Sequence, residues 1–319
     1  MGAGQPTPYN FDASQALPKN IKFGTSTWTY PGWKGLIYFN DYRSEKQFKS
    51  ESLGEYCKCP LFKTVGIDSS FYSPLTEKLL LHYAGLVPED FRWVSKVWER
   101  ITIPAYPRHA RYGKLAGQNN PQFLDAKLFI ERVLAPFVHP EIGKHAGPFV
   151  FQFPTIANDL LTKLSFLERL NNFLGELPKD FRYAVELRNP GLLTEKYFRL
   201  LNDHGATHCF NHWNFMPSLK DQMLLAANAG GLVADFYVAR LLTPRGVDYA
   251  GAVKLFTPYD KIKKPNPEAR DHAAILVKRA IERKADAYII VNNRLEGHSP
   301  GTIDAIIAKT VTRSDFPTT

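Results

Sequence analysis

The chain has 319 residues, 44% of them hydrophobic, and a formal net charge of +9 from 40 Lys and Arg residues against 31 Asp and Glu residues. This length suits one large core or two modest domains, and the apolar content is ordinary for a soluble globular protein. No apolar run reaches the roughly 18 residues of a membrane-spanning helix, which argues against a membrane protein.

Residues 1–20 are rich in Pro, Gln, Asn and Asp and lack the apolar core of a signal peptide. We therefore expect a flexible N-terminal tail, followed by one domain over residues 21–319. The three cysteines are an odd number, which argues against a disulfide framework. Together these features predict a cytoplasmic protein with free thiols.

Short apolar runs rich in β-branched and aromatic residues alternate with helical stretches along the chain. Strands are predicted over residues 21–27, 62–69, 91–97, 148–153, 182–187, 207–211, 233–241 and 287–292. Helices are predicted over residues 44–56, 77–86, 125–137, 161–174, 195–203, 219–229, 268–284 and 302–310. This alternation predicts parallel strands joined by crossover helices, and eight units predict a single (β/α)8 TIM-type barrel.

Two connections are long, and both follow a strand. They come after strand 3, at residues 99–121, and after strand 7, up to residue 267. Most such loops run about 2 to 6 residues, so long ones often serve function. Both are rich in Lys and Arg, which favours an anionic ligand at this end of the barrel. The alternative interpretation is a solvated basic rim.

Polar and aromatic side chains follow the predicted strands at their C-terminal ends, where barrel enzymes place their working residues. In chain order these are Trp28, Asp68, Tyr72, Lys96, Gln152, Glu186, Arg188, His212, Arg240 and Asn292. Asp68, Lys96 and Glu186 are the catalytic candidates, and the other seven are candidates for substrate binding.

Glu186 and Arg188 lie two residues apart on strand 5, so their side chains share one side of the sheet. Glu186 could act as a general acid or base and Arg188 as an anion clamp. The alternative is an ion pair that only organises the mouth. Lys96 could bind an anion or, if desolvated, act as a nucleophilic amine.

The remaining candidates suit recognition. The amides of Gln152 and Asn292 can hydrogen-bond hydroxyl groups. Trp28 and Tyr72 could form a stacking wall, or could be ordinary packing. No cofactor is predicted, because dinucleotide, P-loop, zincin and serine-hydrolase motifs are absent. A divalent metal stays an alternative, with the ligand set Asp68, Glu186 and His212.

Six segments at the strand ends resemble the YecE-like family, domain of unknown function 72. They are GTSTWTYPGWKG at 24–35, DSSFY at 68–72, FRWVSK at 91–96, FQFP at 151–154, AVELR at 184–188 and NN at 292–293. The resemblance implies a TIM-type barrel with a polar mouth and no settled activity. The chain departs from the family at Gly66, where relatives carry Glu, and at Leu242, where they carry His.

Our first hypothesis is an enzyme that acts on a small anionic molecule, phosphorylated or sugar-like, by acid–base chemistry. Glu186 would transfer protons, while Lys96, Arg188 and Arg240 would hold the anion. Hydrolase, lyase and isomerase chemistry all stay open. The alternative hypothesis is a protein that binds nucleic acid or processes the end of a nucleic-acid strand. It is based on the basic charge of the chain and on the aromatic residues that follow the first predicted β-strand. The sequence makes no prediction of oligomeric state.

Overall fold

The computed structural model describes residues 9–311, and its strands form one parallel sheet. The strands are β1 Ile21–Thr25, β2 Thr64–Ile67, β3 Arg92–Lys96, β4 Ala146–Gln152, β5 Tyr183–Glu186, β6 Thr207–His212, β7 Phe236–Leu241 and β8 Asp286–Val291. Their order in the sheet is β1-β8-β7-β6-β5-β4-β3-β2. All eight predicted strands are therefore confirmed.

Strands β1 and β2 are the two edge strands of this sheet, and they lie next to each other at a seam where the ring closes. The Lys63 amide donates to the Phe23 carbonyl at 2.9 Å across this seam. The two backbones come so close that a Cβ on Gly24 would lie 2.0 Å from the Thr64 carbonyl oxygen. The sheet thus curls into a nearly closed barrel, and the predicted (β/α)8 TIM-type fold is confirmed.

Helices follow the strands and cover the outside of the barrel. They are α1 Phe11–Gln15, α2 Glu45–Tyr56, α3 Glu77–Ala84, α4 Glu99–Thr102, α5 Ala126–Phe129, α6 Pro140–Gly143, α7 Asn158–Lys163, α8 Phe166–Glu176, α9 Glu195–Asp203, α10 Leu219–Asn228, α11 Tyr249–Phe256, α12 Pro267–Glu282 and α13 Ser299–Thr310. Between residues 9 and 311, no helix combines the length and hydropathy that crossing a bilayer requires.

Some helices differ from their predictions. The helix predicted over residues 161–174 is two helices, because Ser165 adopts a left-handed conformation with φ of 46° between α7 and α8. The helix predicted over residues 125–137 begins as α5 and continues as a π-helix, Ile130–Leu134, and a 3-10 turn, Ala135–Val138. Both long loops are present, and they contain α4 and α11, which the sequence did not indicate.

Of the flexible tail that the sequence predicts for residues 1–20, the structure describes residues 9–20. Tyr9 and Ala13 are buried, and the Asn10 amide donates to Asp304 on α13 at 2.9 Å. Most other residues of this stretch are exposed or half-buried. Residues 1–8 lie outside the described residues, and the flexible tail stays a prediction.

The core has two parts. The larger part fills the space between the sheet and the helices, and the smaller lies inside the ring. Members of the inner part are Val94, Val150, Ala184, Cys209, Ala234, Phe236, Val238, Tyr288 and Ile290. This apolar layer closes the barrel below its C-terminal mouth, so polar side chains one step further along the strands lie at the mouth.

Candidate functional site

Strand register places four of the predicted residues on the inner face of the barrel. Gln152 pairs in register with Glu186, and Lys96 pairs with the inner-core residue Val150. Arg240 pairs with Ile290, which also belongs to the inner core. Because neighbours in register point to the same side of a sheet, these side chains converge above the inner core.

Arg240 bridges the two predicted catalytic carboxylates. Its Nη1 donates to Glu186 Oε2 at 2.6 Å, and its Nη2 donates to the two Asp68 oxygens at 2.9 and 3.2 Å. Arg188 forms an ion pair with the other Glu186 oxygen, Oε1. Glu186 is fully buried, whereas the Asp68 side chain is 33% exposed. The mouth therefore holds one buried and one solvent-accessible carboxylate.

These ion pairs fix the charge of their members at neutral pH. Burial alone would raise the pKa of Glu186, but the Arg188 and Arg240 guanidiniums outweigh burial and lower it. Burial likewise opposes the charge of Arg240, and the Asp68 and Glu186 carboxylates reverse that effect and raise its pKa. Glu186 is thus an ionised group whose two oxygens each contact an arginine, although Oε1 makes no hydrogen bond to the described residues. This arrangement suits an anchor for arginines better than a proton donor.

Lys96 is the cation without a counterion in this group. Its Nζ lies 3.6 Å from the centre of the Phe71 ring, and no carboxylate oxygen of residues 9–311 comes within 4 Å of it. Burial lowers the pKa of Lys96 to about 8, and Arg240 and Arg188 act in the same direction against Asp68 and Glu186. Lys96 therefore titrates near neutral pH.

Two arginines at the mouth have nitrogens without a partner. The Arg188 guanidinium lies 4.2 Å from the centre of the Trp213 ring, and its buried Nη1 makes no hydrogen bond to any described residue. Arg294 follows β8, and its buried Nε is also without a hydrogen bond to residues 9–311. The Arg294 guanidinium lies 4.5 Å from the centre of the Tyr249 ring on α11, in the long loop after β7 at the same end of the barrel.

The structure also places Asn292 and Tyr72 at this end of the barrel. Asn292 is buried, and its side-chain oxygen accepts from the Arg294 amide at 3.0 Å, so it shapes the loop that carries Arg294. Tyr72 is 62% exposed, and the Arg111 guanidinium lies 5.0 Å from its ring centre. Arg111 itself pairs with Glu99 at 2.5 Å, so part of the basic rim is neutralised within the protein.

Two predicted residues lie away from this group. Trp28 is 4% exposed and packs edge-on against Tyr83, with ring centres 5.1 Å apart, so it belongs to the core and offers no stacking face. His212 pairs in register with Leu241, a residue of the outer core, and its Nδ1 contacts the Thr243 carbonyl at 2.8 Å. His212 therefore points out of the barrel.

The position of His212 separates the predicted metal ligands. Asp68 and Glu186 lie at the mouth, but both contact Arg240, and His212 is on the opposite face of the sheet. The described part of the chain contains no group of three His, Cys, Asp or Glu side chains arranged to hold a metal ion. The predicted ligand set does not assemble.

Sequence reasoning missed Asn211 and Arg294. Asn211 pairs in register with Arg240 and so faces inward, where its buried side-chain oxygen is without a hydrogen bond to the described residues. Alternation along β6 could have found Asn211. It precedes His212 by one residue, so the two side chains point to opposite faces of the sheet. Arg294 comes directly after the Asn292-Asn293 segment. It therefore fits the pattern of polar side chains that follow the strands at their C-terminal ends.

Comparison with known proteins supports the fold and the family. A family model described as "Protein of unknown function DUF72" matches residues 22–317. The chain belongs to the DUF72 family. A DUF72 family protein from Enterococcus faecalis V583 is 13% identical, with a TM-score of 0.57 and coverage of 91% of this chain and 94% of that one. A second, from Thermotoga maritima MSB8, is 15% identical, with a TM-score of 0.50 and coverage of 91% and 98%.

The family match confirms the resemblance seen in the strand-end segments. At these identities the two DUF72 structures show a shared fold alone. Among curated proteins, none matches the chain.

The two positions at which the resemblance led us to expect other residues have different surroundings. Gly66 pairs in register with Val94 and faces inward, and a Cβ there would lie 3.2 Å from both the Cα and the carbonyl oxygen of Ser26. The backbone of β1 thus crowds any side chain at this position. Leu242 is buried, and its amide donates to the His212 carbonyl at 3.1 Å.

Proposed function

We propose that this DUF72 barrel is an enzyme that acts on a small anionic substrate, phosphorylated or sugar-like, by acid–base chemistry at its C-terminal mouth. The observation that carries the proposal is the buried Arg188 Nη1, which makes no hydrogen bond to the described residues although its guanidinium is held by Glu186 and Trp213. A buried charged donor without an acceptor is costly, and an anion supplies that acceptor.

The charge at the mouth supports the same ligand. Three cations, Lys96, Arg188 and Arg240, face two carboxylates, Asp68 and Glu186, so one positive charge is in excess. Arg294, which follows β8 at the same end of the barrel, adds a second positive charge. An anion of one or two negative charges would balance the site, and the guanidinium fork suits phosphate and carboxylate oxygens.

The pKa of Lys96 and the ion pairs of Glu186 favour Lys96 over Glu186 as the group that transfers protons. Efficient acid–base catalysts have a pKa near the working pH, and that of Lys96 is about 8. Glu186 is held ionised by two arginines. Asp68 is open to solvent on one side, and Gln152, beside Glu186 in register, can orient substrate hydroxyl groups.

Binding of inorganic phosphate, measured by calorimetry, tests the proposal. Wild-type protein should bind phosphate. Arg188→Lys should weaken binding about tenfold because it removes the guanidinium Nη1 that is free to donate, and Arg294→Met should do so because it removes a cation. Arg188→Lys keeps a cation beside Glu186, which protects the fold. Arg199→Met, on an exposed ion pair of α9, is the matched control and should leave binding unchanged. Equal phosphate affinity in all four proteins would contradict the proposal.

One observation supports nucleic acid as the alternative partner. The exposed Tyr72 ring lies next to Arg111 on the rim, where a base could stack beside a phosphate contact. Single-stranded oligonucleotides should then bind at low salt, with affinity that falls steeply as salt rises, and Tyr72→Ala should weaken binding. No retention of oligonucleotides at low salt would exclude this alternative.

A further inference from the structure

We infer that Lys96 is a covalent nucleophile that forms an imine with an aldehyde or ketone group of the substrate, while the arginines hold the anionic group of the same molecule. This inference rests on the proposed function and narrows its substrate class to small carbonyl compounds that carry a phosphate or carboxylate. The placement of Lys96 relative to its charged neighbours is what supports it.

The carboxylates near Lys96 are already bound to other cations. Glu186 lies between Arg188 and Arg240, and both Asp68 oxygens accept from Arg240 Nη2. Lys96 Nζ makes no hydrogen bond or ion pair with any of residues 9–311 and lies against the face of the Phe71 ring. An ammonium whose task is to hold charge is ordinarily paired, whereas an amine that reacts must be free.

The surroundings of Lys96 hold it in a partly desolvated position. Phe71 belongs to the 3-10 turn Asp68–Phe71 that follows β2, and buried Ser70 in that turn donates to the Lys96 carbonyl at 2.6 Å. This hydrogen bond ties the turn to the end of β3 and so positions the ring below the amine. The Phe71 face would also give a neutral imine an apolar surface on which to rest.

Four charged groups act on the amine, from three strands or their ends. Asp68 at the end of β2 and Glu186 on β5 favour the ammonium, whereas Arg188 after β5 and Arg240 on β7 oppose it together with burial. The resulting pKa of about 8 leaves roughly a tenth of Lys96 as free amine at pH 7. That fraction is far larger than for an unperturbed lysine, whose pKa is about 10.4.

Imine formation balances with one water released. The Lys96 nitrogen attacks the carbonyl carbon, a C–N bond forms, and one nitrogen proton passes to the carbonyl oxygen to give a carbinolamine. The hydroxyl group takes up a second proton from solvent, the C–O bond breaks, and water leaves. The nitrogen of the resulting iminium returns its remaining proton to solvent to give the imine. Solvent, which reaches the mouth beside Asp68, exchanges these protons. The imine withdraws electrons from the adjacent C–H or C–C bond, so lyase or isomerase chemistry would follow.

Reductive trapping tests the inference on the wild-type protein. Glyoxylate, which joins an aldehyde to a carboxylate, is added with sodium cyanoborohydride, and carboxymethyl-lysine is mapped by peptide mass spectrometry. Lys96 should be labelled about tenfold faster than Lys127, whose side chain is 83% exposed, and its labelling should rise with pH through a midpoint near 8. Acetaldehyde, which lacks the carboxylate, should show a smaller preference for Lys96.

The outcomes separate this inference from the proposed function. Labelling of Lys96 no faster than Lys127 would overturn the inference, even if phosphate still binds. Preferential labelling that Arg188→Lys lowers, and that phosphate competes away, supports both. Equal preference for Lys96 with acetaldehyde and glyoxylate, with no phosphate binding, supports a reactive amine and contradicts the anionic substrate.

Discussion

Arg240 Nη1 donates to Glu186 Oε2 at 2.6 Å in the centre of the barrel mouth, 54 residues away along the chain. The same guanidinium holds Asp68 from a third strand, so one arginine ties β2, β5 and β7 together at their C-terminal ends. Both predicted catalytic carboxylates are thereby engaged with a cation. The consequence is a difference in pairing, in which Glu186 contacts two arginines and Lys96 contacts no carboxylate of residues 9–311.

Glu186→Gln should lower the free energy of unfolding by about 3 kcal/mol at pH 7, because two buried guanidiniums lose their common countercharge. The folded-state pKa of Glu186 is lowered, so its stabilisation is present above the unfolded pKa of about 4.3 and is lost as the pH falls through the folded value. Urea denaturation should therefore show that the difference in free energy of unfolding between wild type and Glu186→Gln becomes smaller below pH 4. Glu195→Gln, in an exposed pair on α9, should change stability by at most about 0.5 kcal/mol.

Lys96→Met should raise the free energy of unfolding by about 2 kcal/mol at pH 7, because a partly desolvated ammonium without an ion-pair partner is removed. The folded pKa of about 8 lies below the unfolded value, so between pH 8 and about 10.4 the unfolded wild type binds more protons and wild-type stability rises with pH. In denaturant titrations, the difference in free energy of unfolding between Lys96→Met and wild type should therefore become smaller over that pH range.

A lysine in an ion pair provides the control for that experiment. Lys22, at the other end of the barrel, contacts Asp286 at 2.7 Å, and Lys22→Met should lower stability. If Lys96→Met also lowers stability at pH 7, Lys96 is paired in solution and the proposed amine chemistry loses its basis.

Trp213→Leu should weaken phosphate binding about fivefold, because the cation–π contact that holds Arg188 at 4.2 Å contributes about 1 kcal/mol. Phe215 lies two residues further on and is 81% exposed, so Phe215→Leu is a control of similar size in the same loop. Calorimetry should show normal phosphate affinity for the control. Equal affinity in both variants would show that the ring does not position Arg188.

Gly24→Ala should destabilise the protein by more than about 3 kcal/mol, because a Cβ would lie 2.0 Å from the Thr64 carbonyl oxygen at the β1–β2 seam. At Gly191 nothing lies within 4 Å of the added Cβ, so Gly191→Ala should stay within about 0.5 kcal/mol of wild type. Thermal unfolding of both variants tests whether the barrel closes at this seam.

The sequence determined the fold because its signals are local. Each strand is a short apolar run bounded by a turn, and eight such runs with helices between them leave few arrangements other than a closed parallel barrel. The same logic placed Asp68, Lys96, Glu186 and Arg240 at strand ends. The local pattern predicted the helix breaks less well, so the left-handed Ser165 between α7 and α8 was seen only in the structure. The burial of Tyr9 and Ala13 was also seen only there.

Tertiary structure decided which strand-end residues meet. Alternation along a strand tells which side chains share a face but not which face points inward, and register with β7 settled that Asn211 faces in and His212 faces out. The pairing of Arg240 with Asp68, 172 residues away, depends on how the closed ring staggers its strands. In that arrangement both carboxylates form ion pairs with arginines and neither forms one with Lys96, and residue order alone could not show that this lysine is the unpaired one.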